Sequence, residues 1–204
     1  MSLTKQDEAR VEAAIRECER LTGGQIVCVF ADSAMVQRTG LPVLLAALGS
    51  LMVPWLLVLA TQLPVLTVLL LQALAFVGLL ALGTVPAIAR ALTPRAVRRA
   101  LAWRLAAEQF VVRGISRTSD RSGILIFVAR AERYARIIAD EGTVRQVPAS
   151  QWKRAVAALV AHMREDHAAE GFIAAIAICT EILKTHRPLK AGPANPLPDR
   201  VYQI

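Results

Sequence analysis

Apolar residues recur along this chain with different periods, and each period predicts a different kind of element. From Thr4 to Leu21, the residues Val11, Ala14, Ile15, Cys18 and Leu21 recur at spacings of three and four, the mark of a helix with one buried face, and Thr22-Gly23-Gly24 ends it. Gln25 to Phe30 is short, β-branched and almost wholly apolar, as expected of a strand covered on both faces. Gly123 to Val128 repeats that character. Tyr134 to Asp140 follows after a short link, which makes an antiparallel hairpin the simplest reading. Two amphipathic helices come next. Gln151 to about Asp166 carries Trp152, Val156, Leu159, Val160 and Met163 on one side, and Ala168 to about Thr185 has Phe172, Ile176, Cys179 and Leu183 at helical spacing. The tail, 188–204, holds four prolines and is expected as extended chain rather than a folded element.

The middle of the chain has no such alternation. Leu41 to Thr61 and Pro64 to Ala89 are two charge-free runs of twenty residues or more, separated only by the turn Thr61 to Pro64. Twenty residues make about 30 Å of helix, enough to cross a hydrocarbon core. Pro54 lies inside the first run and Pro86 near the end of the second, and membrane helices tolerate both. Behind them a basic amphipathic helix is expected, with Val97, Leu101 and Leu105 sharing a face and Trp103 and Phe110 flanking it. The expected organisation is therefore one discontinuous α/β domain, 1–40 and 93–187, interrupted by transmembrane helices at 41–61 and 64–89.

Composition agrees with this division. A 55% hydrophobic content sits beside a net charge of +8 and a pI near 10.2, a pairing uncommon in soluble domains. The charge also sets a topology. Arg38 precedes the first run and Arg90, Arg95, Arg98 and Arg99 follow the second, while the turn between them carries none, so the positive-inside rule puts both flanks and both termini in the cytoplasm. Cys18, Cys28 and Cys179 are odd in number and widely spaced, which reads as reduced, buried thiols. The charged, amphipathic start has no signal-peptide character.

Thr22-Gly23-Gly24-Gln25-Ile26-Val27, Glu108-Gln109-Phe110, Ser119-Asp120-Arg121-Ser122-Gly123 running into Ile124 to Val128, and Glu132-Arg133-Tyr134 occur in that order. Together they resemble the TPM domain family, and more closely its bacterial membrane-anchored branch. Trp152, Glu170-Gly171-Phe172 and the closing Asn195-Pro196-Leu197-Pro198-Asp199-Arg200 fit that branch too. The resemblance implies an α/β/α sandwich with a small mixed sheet. It also implies one of two activities, acid phosphatase or calcium-binding chemistry, or service as an accessory factor for membrane complexes. Where metal-binding members carry acidic residues and a Gly-x-Gly turn, this chain reads Ala139-Asp140-Glu141-Gly142-Thr143, lacking the first glycine.

Ligands gather at strand ends in α/β sheets. Asp32 ends one expected strand and Asp140-Glu141 another, so these three carboxylates could share Ca2+ or another divalent cation; ordinary solvated turn residues would look the same. His162 and Asp166 lie four apart on an expected helix, with His167 beside them, but lack a third ligand. There is no phosphate loop, nucleophile elbow or paired cysteine nucleophile. Arg90, Arg95, Arg98 and Arg99, beside a span, are expected to meet anionic lipid headgroups rather than nucleic acid. The expectation is an integral inner-membrane protein whose cytoplasmic domain is a binding or accessory module for another membrane protein, in assembly or maintenance. The alternative is a divalent-metal-dependent phosphatase.

Overall fold

The computed structural model describes residues 3–32, 40–60, 62–85, 87–88, 91, 93–118, 121–188, 198 and 200–204. Arg38, Thr61, Pro86, Arg90, Ser119, Asp120 and Asn195 to Leu197, all named above, lie outside the described residues. The chain folds as two compact units, Met1–Ser33 with Ala102–Ile204, and Ala34–Leu101.

In the first unit, helix α1 (Lys5–Leu21) begins with a capping box. The Thr4 hydroxyl accepts the Asp7 N–H at 3.1 Å, and the Thr4 N–H donates back to the Asp7 carboxylate at 3.3 Å. Strand β1 (Gln25–Ala31) pairs in parallel with β2 (Gly123–Ala129), Gln25 opposite Gly123 and Ala31 opposite Ala129. Strand β3 (Tyr134–Ala139) returns antiparallel to β2, with Ile124 opposite Ala139, so the hairpin expected from the short link is present.

The tail departs from expectation. Val201–Gln203 form a short strand, β4, parallel to the free edge of β1, which gives a four-stranded mixed sheet in the order β3-β2-β1-β4. The physical reason lies in β1, which is buried along almost its whole length and cannot leave its edge groups to water. Ile204 N–H donates to Phe30 O at 3.0 Å and Asp32 N–H to Ile204 O at 3.1 Å, while the Glu19 carboxylate takes the Ile26 N–H at 3.0 Å. The proline content of the tail hid three pairing residues.

One face of the sheet, Ile26, Cys28, Phe30, Ile124, Ile126 and Val128, packs into a core with α1, α6 (Ala149–Arg164) and α7 (Ala168–His186). Phe30 and Phe172 meet edge to face at 6.4 Å. The alternate residues, Val27, Val29, Leu125 and Phe127, are equally buried. Helix α4 (Arg95–Val112) and a turn of 3-10 helix (Ile115–Arg117) supply fully buried Ala102, Ala106 and Ile115, none of them part of the first core. Gly114, at φ +68, closes α4 where a side chain would be strained. The buried face of α4 differs from the one expected. Ala102, Ala106 and Gln109 are buried, whereas Val97 and Trp103 stay exposed, because small side chains let a helix approach its neighbour closely.

In the second unit, α2 (Leu41–Ala60) and α3 (Val65–Thr84) pack along each other. Both are long and apolar enough to cross a membrane, over Val43–Ala60 and Val65–Thr84. Their large side chains face outward: Trp55 is 70% exposed, Val65 76% and Leu59 84%. Pro54 sits within α2, which runs through it unbroken.

Candidate functional site

The sheet's two ends carry different chemistry. At the carboxyl end of the parallel strands, Asp32 follows β1 and Arg130 follows β2, and the Arg130 N–H donates to Ala31 O at 3.0 Å. The Arg130 guanidinium lies 3.5 Å from the Asp32 carboxylate and 3.0 Å from that of Asp166. Two acids thus flank one arginine just where α/β sheets collect ligands. Arg130 was not singled out from sequence, because only the fold shows that one arginine in a turn reaches acids on two other elements.

At the opposite end, Asp140 follows β3 and caps the one-turn helix α5 (Glu141–Val144). Its Oδ1 accepts the Glu141 N–H at 2.6 Å, and its own N–H donates to Gly123 O at 2.9 Å. Asp140 is 8% exposed and Thr143 0%, and Asp140 Oδ2 and Thr143 Oγ1 are buried without a hydrogen-bond partner. Glu141 turns outward to pair with Arg121 at 3.1 Å and with Arg145. The Arg187 guanidinium donates to Gly142 O.

The structure therefore brings Asp140 and Glu141 together and leaves Asp32 apart from them. Antiparallel β3 ends beside the start of β2 and so level with the start of β1, whereas Asp32 lies past the finish of β1, seven residues on, or about 23 Å at 3.3 Å per residue. Among the described residues no group of three or more His, Cys, Asp or Glu gathers as a metal site would require. Asp140 Oδ2 and Thr143 Oγ1 offer two oxygens, against the six to eight that Ca2+ takes. The three-carboxylate arrangement does not fit a shared cation.

His162 and Asp166 do not share a helical face either. Helix α6 stops at Arg164, Asp166 takes a positive φ of 63° and turns to Arg130, and His162 Nδ1 lies 3.0 Å from Ala158 O within its own helix. The three thiols sit in the core, where burial pushes each of them up from the ordinary cysteine range. On α4, Arg95, Arg98 and Arg99 occupy the first turns, and among the described residues no acidic group lies within ion-pair distance of them.

Against this geometry, the family model for the TPM domain matches residues 90–181. That stretch carries a TPM domain. The matched stretch begins after α3 and runs from α4 into α7, so α1 and β1, which complete the same unit, lie on the far side of the hairpin in sequence. The fold is similar to the NMR structure of BA42 protein from the psychrophilic bacterium Bizionia argentinensis. That likeness has a TM-score of 0.62 at 15% identity, covering 100% of this chain and 96% of that one. No curated protein matches the chain.

Proposed function

We propose that this chain is a multi-pass protein of the bacterial inner membrane whose TPM unit faces the cytoplasm and acts as a binding or accessory module for another membrane protein, in its assembly or maintenance. The observation that carries this reading is the outward-facing apolar surface of α2 and α3, which needs a hydrocarbon surround, joined to a TPM unit rich in paired surface charge. From 33 to 107 the chain has six arginines and no acidic residue, which favours cytoplasmic flanks. Arg90, Arg95, Arg98 and Arg99 then meet anionic headgroups, each contributing about 1 kcal/mol. The accessory reading takes precedence over a divalent-metal phosphatase because Asp32 is remote from Asp140 and Glu141.

Two experiments test it. The native thiols are buried, so single cysteines at Gln62 and Ser116 can be read without background. In intact spheroplasts an impermeant maleimide labels Gln62→Cys, and Ser116→Cys only after permeabilisation; the reverse order overturns the topology. Mild crosslinking before detergent purification recovers a reproducible membrane-protein partner. Recovery of the chain alone counts against the accessory role.

A further inference from the structure

We infer that α4 is an interfacial helix: its outward side, formed by Val97, Ala100, Trp103, Ala107 and Val111, beds into the boundary between headgroups and acyl chains of an anionic leaflet. The inference rests on the proposal that α2 and α3 span the membrane and adds a second, in-plane mode of contact. Three observations support it.

First, α4 has two unlike sides. Ala102, Ala106 and Gln109 are buried, while Val97 is 41% exposed, Trp103 48%, Val111 63% and Val112 66%. At 100° per residue, positions 97, 100, 107 and 111 fall on the side opposite 102, 106 and 109, with Trp103 next to them. An exposed apolar stripe interrupted only by Arg104 marks a contact surface, unlike a single exposed valine. Second, the charge suits a phosphate-rich surface. The arginines of α4 lack acidic partners among the described residues, and the first carboxylate after 33 is Glu108. By the same rotation Arg95, Arg98 and Arg99 fall on the side of Ala102 and Ala106 but one to two turns before them, so the cations gather at the N-terminal end of α4, nearest in sequence to α3, where Arg95 and Arg99 are exposed to meet headgroups. Arg104 shares the apolar side and Glu108 borders it beside Val97; the Arg104 stem can lie along the stripe while its guanidinium reaches outward. Third, the chain allows it. Only 85–94 separate the end of α3 from Arg95, and Trp is the residue that settles at this depth.

The test uses the full chain in vesicles of mixed phosphatidylglycerol and phosphatidylcholine with bromine at different acyl depths. One variant keeps Trp103 as its sole tryptophan (Trp55→Phe, Trp152→Phe), and another keeps Trp55 (Trp103→Phe, Trp152→Phe). Trp103 emission is expected to be quenched most by bromines nearest the headgroups, and less when Arg95 and Arg99 are both changed to Gln; Trp55 is quenched too. Trp103 unquenched at every depth while Trp55 is quenched overturns the inference and leaves the spans standing, and a blue-shifted unquenched spectrum would identify a protein partner instead. Both residues unquenched overturns the inference together with the spanning proposal beneath it. Should removal of Trp152 disturb folding, a spin label on Val111→Cys in the otherwise native chain gives the same answer. Oxygen outcompeting a water-soluble relaxant there supports immersion, and the opposite ranking overturns it.

Discussion

The two units are both rich in apolar residues and deal with them in opposite ways. In the first, the seven residues of β2 are all buried, and polar side chains surround the core. In the second, α2 and α3 bury Ala46, Ser50 and Val68 between them and present leucines outward. The same side chains are inside in one unit and outside in the other, so apolar content alone does not define a core. On the proposal that α2 and α3 span a membrane, the solvent each unit meets does.

Substitutions can break this comparison. The largest effect is expected from Phe127→Ala in β2, where lost burial and the remaining cavity cost about 3–5 kcal/mol, read as a fall in the denaturant midpoint in detergent. Leu74→Ala, at a position 69% exposed on α3, is expected to leave that midpoint in place. Next comes Leu74→Asp. On a water-facing surface it would be nearly neutral, but within a bilayer it costs about 2.5–3.5 kcal/mol, so the fraction resisting alkaline extraction should drop. An unchanged fraction would mean that α3 does not meet lipid.

Smaller effects sharpen the picture within the TPM unit. Asp140→Ala removes the cap of α5 and should cost about 1 kcal/mol, while Asp140→Asn, which can still accept from the Glu141 N–H, should lose a few tenths. Equal losses would show that the charge matters more than the cap. The smallest effect is on pH dependence. Burial raises the thiols of Cys28 and Cys179 in the folded state, so their contribution is full below the unfolded value of about 8.5 and is lost as pH rises above it. The slope of stability between about pH 8 and 10 should flatten in Cys179→Ala, and a slope equal to wild type would assign it elsewhere. The second unit carries no ionisable side chain in α2 or α3 and adds nothing to this slope.

How much could be read beforehand follows the strength of the periodic signal. β1, β2, the hairpin to β3 and the two apolar helices stood out because each has a long, uninterrupted pattern. The three residues of β4 carry too little pattern, and their place depends on an edge of β1 that no local signal describes. The face of α4 was misassigned because hydrophobicity favours large residues such as Leu101 and Leu105, whereas close packing selected Ala102 and Ala106. For the candidate site, Asp32 and Asp140 were recognised as strand-terminal residues. Their separation required knowing that β1 runs parallel to β2, a relation between segments on either side of the hairpin. Arg130 and Thr143 were missed for the same reason, since their importance lies in what they meet.

The insertion of the hairpin between β1 and β2 has a consequence for biosynthesis. β1 leaves the ribosome about 100 residues before its partner β2, which at 5–20 residues per second is a wait of roughly 5–20 s, and β4 follows β2 by about 70 residues more. During that interval β1 is an apolar strand with both edges open, and α2 and α3 are made while it waits. The sheet cannot close until Val201–Gln203 are released, so on the proposal that α2 and α3 span a membrane their insertion precedes domain closure, and a chain truncated before Val201 keeps the edge of β1 open.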